Sequence, residues 1–384
     1  MRKKIAFAGG GTAGHVIPNL ALIEELEDKY DIIYIGSNSQ MEKNLIEPLG
    51  IKYYSVSTGK LRRYFDIKNV TDAVNVLRGI RESQKILKEE KPDLLFSKGG
   101  FAAVPVVLAA RNLKIPIISH ESDMTPGLAN KISIPYSRRI ACNFEATLKF
   151  LPKHKAFVSG CPIRKFLYEG NSENCLKKYN LEKRKTIFIL GGSSGSSFIN
   201  RQIRKNLEYL LPTYNVIHQC GYKHTIDLDN IELSDKKLLK NYVQLEYIDA
   251  KELADIYSFC DIVISRSGAN AIFELLGLKK PMLLIPLSKR ASRGDQILNA
   301  EVFENKGFAS VLQEDEIIED SDNKKFEIAN IYNEDEISLA RKNNILLKKI
   351  DETFARADDY INHMSETRLK DSKQIIIEEI EKII

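Results

Sequence analysis

A short apolar run that ends in clustered glycines occurs twice in this chain, about half its length apart. Ile5-Ala6-Phe7-Ala8 leads into Gly9-Gly10-Gly11-Thr12-Ala13-Gly14-His15, and Thr186-Ile187-Phe188-Ile189-Leu190 leads into Gly191-Gly192-Ser193-Ser194-Gly195. A strand, a glycine turn and a helix start together offer free backbone N–H groups and the positive end of a helix dipole to an anion. Two such openings in 384 residues predict an α/β chain of two doubly wound, Rossmann-like domains, each with its own core. The expected layout has parallel sheets facing each other across a cleft, which suits joining a nucleotide-bearing donor to a second substrate.

Strand-like and helical stretches alternate along the chain, as parallel sheets require. Strands are expected at 4–8, 32–35, 94–97, 115–119, 139–142 and 157–158, then at 186–190, 214–219, 243–247, 262–265, 282–285 and 309–312. Helical patterns fall at 19–29 and 68–90. The break between halves is placed after Gly160-Cys161-Pro162-Ile163-Arg164, giving a first domain at 1–164 and a second at 165–370. Residues 313–336 are acidic and weakly patterned, so loops with short helical pieces are expected there. The stretch 371–384 carries Ile375, Ile376, Ile380, Ile383 and Ile384 and predicts a helix docked on a core face, packed back on the first domain.

The five cysteines are scattered and form no C-x-x-C pair, which points to a reducing compartment and away from a structural zinc site. A formal net charge of +5 suits an anionic substrate or an anionic membrane surface and is too small for a nucleic-acid binder. The longest apolar run, 101–110, is too short to span a bilayer. The basic start, Met1-Arg2-Lys3-Lys4, is followed by a run that glycines interrupt, so it reads as a first strand and not as a signal peptide.

Gly9-x-Gly11-x-x-Gly14 matches the dinucleotide fingerprint formally, but the second strand ends Ile35-Gly36-Ser37-Asn38, without the carboxylate that would hold a ribose. The distinctive residue is His15, at the top of the first helix, where the helix dipole disfavours the imidazolium and a neutral ring can accept a hydroxyl proton. A further pair, Gly99-Gly100, follows the strand 94–97. The strand 115–119 ends in His120-Glu121-Ser122-Asp123, a cluster able to supply a base, an orienting partner or a hydroxyl binder; His120 and Glu121 read best as a supporting network. In the second half, Ile262–Ser265 runs into Arg266-Ser267-Gly268-Ala269-Asn270, whose backbone N–H groups would meet a diphosphate. Glu274, about six residues on and roughly 9 Å along the helix, would reach two vicinal ribose hydroxyls. Gln296 and Asn299 share a helical face from which amides could read sugar hydroxyls.

Taken together, Gly10-Gly11-Thr12-Ala13-Gly14-His15, Gly99-Gly100, His120-Glu121, Gly160-Cys161-Pro162-Ile163-Arg164, Gly191-Gly192-Ser193-x-Gly195, Arg266-Ser267-Gly268-Ala269 and Asp295-Gln296-x-x-Asn299 resemble the MurG family. They stand in family order across roughly the first 310 residues. The resemblance implies a GT-B fold and a UDP-N-acetylglucosamine transferase of peptidoglycan synthesis, peripheral on the cytoplasmic face of the cell membrane. It implies inverting transfer to the C4 hydroxyl of the N-acetylmuramoyl-pentapeptide carried on undecaprenyl diphosphate (lipid I). By the same resemblance Arg164, Ser193, Ile248, Ala269, Glu274 and Gln296 map to the donor, with Ile248 reading uracil through its backbone and Glu274 holding ribose. His15 maps to the acceptor side, Thr12, Ala13 and Gly14 to substrate binding, and Asp123, where some relatives carry asparagine, is a further substrate-binding residue and a second candidate base. The chain departs from the family at Ala13, where many relatives have glycine, and beyond about residue 313, a stretch to which no function is assigned.

Inversion requires in-line attack opposite the leaving UDP, and a helix N-terminus, loop amides and Arg164 could hold the developing diphosphate charge without a metal or other cofactor. The pairs Asp227-x-Asp229 and Asp320-x-Asp322 lie in polar stretches and read as solvated, not as metal ligands. The stretch from Lys60-Leu61-Arg62-Arg63-Tyr64-Phe65 through Lys68, Val70, Val74, Leu77, Arg78 and Arg81 mixes basic and apolar residues as an anionic bilayer surface would favour. Competing expectations are another GT-B enzyme, such as a diacylglycerol or small-aglycone glycosyltransferase or a UDP-sugar 2-epimerase, and a non-catalytic UDP-sugar-binding protein.

Overall fold

The computed structural model describes residues 2–59, 68–192, 195–289, 294–323, 341–367 and 372–384. The chain divides into two compact units, Met1–Arg164 with Arg368–Ile384, and Lys165–Thr367.

The first unit is built on a seven-stranded sheet of order β3-β2-β1-β4-β5-β6-β7. Its strands are β1 (Lys4–Ala8), β2 (Asp31–Gly36), β3 (Lys52–Ser55), β4 (Leu94–Ser97), β5 (Ile117–Glu121), β6 (Arg139–Cys142) and β7 (Ala156–Val158). All pairings are parallel. Side chains alternate across the sheet, so both faces are apolar. Ile5, Phe7, Tyr34, Leu94 and Phe96 pack with α1 (Ala13–Leu26) and with Ile376, Ile377 and Ile380 of a terminal helix, Ser372–Glu381. Ala6, Ala8, Ile33, Ile35 and Leu95 pack on the other face with α4 (Ala103–Asn112). Between these helices in sequence lie α2 (Gln40–Ile46) and α3 (Lys68–Glu90), which packs along α4. Burying the three terminal-helix isoleucines contributes roughly 1.5–3 kcal/mol each as an upper estimate. Ion pairs Arg139–Glu379 (2.5 Å) and Lys373–Glu25 fix the helix at its edges.

The second unit repeats the plan with six parallel strands in the order β10-β9-β8-β11-β12-β13. They are β8 (Thr186–Leu190), β9 (Asn215–Gln219), β10 (Tyr242–Leu245), β11 (Ile262–Ser265), β12 (Met282–Leu284) and β13 (Ala309–Val311). Ile187, Ile189, Val216, Ile262, Ile264 and Leu283 pack with Ile199, Ile203, Leu346, Leu347 and Ile350 from flanking helices.

Three local differences from the sequence expectation have physical reasons. Helix α1 begins at Ala13 and not near residue 19, because Pro18 sits inside it without ending it. Strand β3 is short, polar and only half-buried at the sheet edge, so Lys52-Tyr53-Tyr54-Ser55 carries no apolar run to announce it. Glu314–Asn323 forms a helix, α12, and Asp320 within it accepts a hydrogen bond from the Ile345 amide (3.2 Å), so it is neither in a loop nor merely solvated. Asp227 also has a local task, accepting from the Asp229 amide (3.1 Å) at the start of a short turn.

Candidate active site

Each sheet reverses its strand order once, between β1 and β4 and between β8 and β11. Crevices at the carboxyl ends of strands beside such a reversal are where open α/β sheets take ligands. The glycine segments 9–11 and 99–100 stand at the first reversal, and Gly191-Gly192 and the turn 266–268 at the second.

In the first unit, β1 ends in Gly9-Gly10-Gly11 and Thr12 stands at the helix N-cap with extended backbone (φ −149°). Gly11 has φ +89°, and a side chain there would meet the Phe101 ring at 2.5 Å. His15, on the first turn of α1, lies over Gly100, whose added Cβ would be 3.1 Å from His15 Nδ1. The Thr12 hydroxyl is 2.9 Å from the same nitrogen. In the tautomer with the proton on Nδ1, the ring donates to Thr12 and leaves a lone pair on Nε2. Burial, helped by the positive charge of Lys98 and opposed by the negative charge of Glu42, lowers the His15 pKa to about 4. The ring is therefore neutral and able to accept a proton at physiological pH.

Glu42, on α2, is a buried partner of the glycine loop that sequence reasoning missed. It is fully buried and accepts from Gly11 N–H (2.7 Å), Ser37 N–H (2.7 Å), Ser37 Oγ–H (2.6 Å) and Tyr53 Oη–H (2.9 Å). A Cβ on Gly10 or Gly36 would come within 2.6 or 2.3 Å of its carboxylate oxygens. The Gly11 amide is thus already engaged, which corrects the expectation that this loop presents only free N–H groups to an anion. Ser39-x-x-Glu42 has the spacing of a helix capping box, but Ser39 makes no side-chain cap and Glu42 turns to the glycine loop instead.

Beside this loop, His120 and Glu121 are buried and fully engaged. Glu121 accepts from Asp123 N–H (3.0 Å), Gly127 N–H (3.0 Å) and Asn130 Nδ2 (2.8 Å), and so fixes the turn that carries Asp123. Thr12, Ala13, Gly14, His15, Asp123 and Arg164 all belong to this first unit.

In the second unit, β11 leads through Arg266-Ser267-Gly268 into α10 (Ala269–Gly277). Ala269 is the first helical residue, after Gly268 with no side-chain cap, so the first-turn amides face outward as an anion site needs. Glu274 is half-buried on the same helix. Burial, with the Glu274 charge second, raises the pKa of Tyr168. Ile248 is buried just before Asp249, which caps α9 (Ala250–Phe259) by accepting from Glu252 N–H (2.9 Å). Gln296 stands in the first turn of α11 (Asp295–Asn305), its Oε1 accepting from Leu287 N–H (3.0 Å), so its Nε2 hydrogens are the part open to a sugar hydroxyl. Asn299 is different from expectation: it is fully buried and donates to the Ser267 carbonyl (3.2 Å), supporting the turn and not reading a sugar. Ser193 and Arg290–Arg293 lie outside the described residues.

Arg266 is held by protein partners. It donates to Ile285 O (3.0 Å), Pro286 O (3.2 Å), Ser196 Oγ (2.8 Å) and Glu314 Oε1 (2.6 Å), while Glu314 Oε2 accepts from Ser288 N–H (3.0 Å). One buried ion pair ties together the segments after β8, β11, β12 and β13. Glu314 falls in the stretch that the sequence left without a function.

His120 and His218 lie wholly buried, and burial lowers both pKa values, that of His218 to about 3. Unfolded, each would take up a proton as the pH falls through about 6.5, while the folded protein does not, so stability is lost on acidification below that value. Melting temperature is expected to fall between about pH 7 and about pH 5, with net proton uptake on unfolding. A flat profile would contradict this.

Residues 5–142 match the glycosyltransferase family 28 N-terminal domain, and residues 186–373 match the family 28 C-terminal domain. A Clostridium botulinum protein named UDP-N-acetylglucosamine–N-acetylmuramyl-(pentapeptide) pyrophosphoryl-undecaprenol N-acetylglucosamine transferase is 48% identical over 383 residues, 99% of this chain and 98% of the relative. A Clostridium tetani protein of the same name is 48% identical over 387 residues, 100% of this chain and 98% of its own. Among solved structures, Acinetobacter baumannii MurG superposes with a TM-score of 0.69 at 20% identity, covering 100% of both chains. A UDP-GlcNAc 2-epimerase from Neisseria meningitidis gives 0.63 at 15% identity, also over 100% of both, so at this distance structural likeness speaks to the GT-B fold alone. With both domain models matched and near-half identity to full-length relatives, the chain belongs to glycosyltransferase family 28 and, within it, to the MurG family.

Proposed function

We propose that the two sites divide one reaction, the inverting transfer of N-acetylglucosamine from UDP-N-acetylglucosamine to the C4 hydroxyl of undecaprenyl-diphospho-N-acetylmuramoyl-pentapeptide, which gives lipid II for peptidoglycan synthesis. The full-length identity to relatives named for this transfer carries the reading. The first unit takes the acceptor at Thr12, Ala13, Gly14 and Asp123. His15 Nε2 removes the proton from the attacking hydroxyl, and Asp123 is the alternative base. The second unit takes the donor: the Ile248 backbone meets uracil, Glu274 meets the ribose hydroxyls, and Gln296 meets the sugar. The amides at Ala269 and the side chains of Ser193 and Arg164 receive the negative charge that grows on the diphosphate. No metal takes part in this scheme.

UDP release from UDP-N-acetylglucosamine in EDTA, with and without a lipid I analogue, tests it. Release only with the muramoyl-pentapeptide lipid is expected. Release without acceptor would identify an epimerase or hydrolase, and binding without release a binding protein.

The acceptor's lipid is held in a membrane, yet among the described residues no helix is long and apolar enough to cross one. Peripheral attachment at the cytoplasmic face through α3 meets this requirement. Val74 and Leu77, three residues apart and so on one helical face, are 59% and 62% exposed, beside exposed Arg78 and Arg81. The expected contribution of residues 60–67 lies outside the described residues. Reversing Arg62, Arg63 and Arg78 to Glu is expected to abolish sedimentation with anionic liposomes while leaving UDP binding intact. Undiminished sedimentation would refute this attachment.

A further inference from the structure

Lys98, directly after β4, is among the described residues the one lysine in the set of largest fully buried side chains, 1% exposed. Its backbone N–H donates to Ala8 O (2.8 Å), and its Cβ lies under Gly9, 3.2 Å from where a Cβ there would stand. Its ammonium donates to Ser122 Oγ (2.6 Å) and is 2.7 Å from His120 Nδ1. The other His120 nitrogen, Nε2, faces the Gly160 carbonyl (3.1 Å), which can only accept. The proton of the neutral ring is therefore on Nε2, Nδ1 is an acceptor, and Lys98 is the donor to both partners. Neither partner is a carboxylate. A buried ammonium held by neutral groups is costly to desolvate, and nothing in the packing of the sheet demands it.

We propose that Lys98 is a positioning residue for the transfer, its buried ammonium tying the strand end that carries Asp123 to the glycine loop that carries His15. This rests on the reading that the first unit supplies the base. Burial pushes the Lys98 pKa down, while the Cys161 thiol, Glu121 and Asp123 around it push it back up; the charges acting on His15 are Lys98 from the end of β4 and Glu42 from α2. In a low-dielectric interior the Lys98 charge reaches the His15 ring and opposes its protonation, while the Glu42 charge favours it. The same ammonium thus ties down the turn that carries one candidate base and adds to the burial that keeps the other neutral. It also sets a positive charge beneath both glycine segments, where the acceptor's diphosphate would arrive.

The test is Lys98→Met, close in length but uncharged, compared with Lys98→Arg, which keeps the charge in a different geometry. The His15 ring is followed by NMR titration, assigned with His15→Ala, and steady-state kinetics are run on the same full-length proteins. In Lys98→Met the His15 midpoint is expected to rise by about one pH unit or more. There kcat is expected to fall about 10- to 100-fold, as for other supporting partners of reactive groups, with KM for UDP-N-acetylglucosamine unchanged. Lys98→Arg is expected to leave the midpoint low. Should Lys98→Met not fold, Lys98→Gln, whose amide still donates, decides by the same readouts. An unmoved midpoint, or wild-type kcat with a moved midpoint, overturns the proposal. Intact turnover in His15→Ala would instead remove the base assignment, and the titration in Lys98→Met would still report the field of the lysine.

Discussion

His15→Ala is expected to lower kcat by about 10²–10⁴-fold, the usual loss when a general base is removed, with affinity for UDP-N-acetylglucosamine unchanged. The proposed donor contacts Ile248, Ala269, Glu274 and Gln296 lie in the second unit, whereas His15 is on the first turn of α1. Its ring is seated on Gly100 and oriented by the Thr12 hydroxyl. The substitution therefore removes a proton acceptor and its contact with Thr12. The depressed pKa predicts that kcat/KM holds level on acidification through pH 6.5, where an ordinary histidine would titrate, and falls only near pH 4. Donor binding is read by UDP displacement and turnover by UDP release with the lipid acceptor. If His15→Ala turns over at the native rate while Asp123→Asn does not, the base is Asp123.

Arg266→Met is expected to cost about 3–5 kcal/mol, the penalty for removing one partner of a buried ion pair. The pair is 11% and 8% exposed, and the guanidinium also satisfies two carbonyls and a hydroxyl. Its loss strands the Glu314 charge and releases the segments bearing Ser196, Pro286 and Ser288 at once. Urea unfolding should show the loss, and UDP affinity should fall with it although Arg266 touches no ligand in the proposed site. Adding Glu314→Leu to Arg266→Met should recover part of the stability, because the stranded charge is then gone. Wild-type stability in Arg266→Met would mean that the pair contributes nothing.

The fold was legible where strands are apolar on both faces. β1, β4, β6 and β8 fall at their expected bounds because a parallel sheet covered by helices leaves no polar side to blur the run. The edge strand β3 escaped because it has no such run. In the candidate site, the residues that stood on glycine turns and helix starts could be named from sequence, since backbone chemistry dictates those positions. The carboxylates behind them could not. Glu42 carries the spacing of a helix cap, and Glu314 opens an acidic helix that reads as solvated. Their partners, Gly11 at 31 residues' separation and Arg266 at 48, meet them only through the fold. Lys98 and Asn299 illustrate the same limit, since each is polar in sequence and wholly buried in the protein.

The terminal helix Ser372–Glu381 completes the core of the unit that begins the chain, while all of the second unit lies between. This inverts the usual order of maturation on the ribosome, in which N-terminal domains close first. The nascent first sheet leaves the exit tunnel with the face formed by Phe7, Leu94 and Phe96 still lacking Ile376, Ile377 and Ile380. It must wait, partly uncovered, through about 200 further residues, some 10–40 s of synthesis at 5–20 residues per second. The second unit can close in that interval. The first unit is therefore the one a chaperone would meet, and a premature stop before residue 372 leaves it with an exposed apolar stripe.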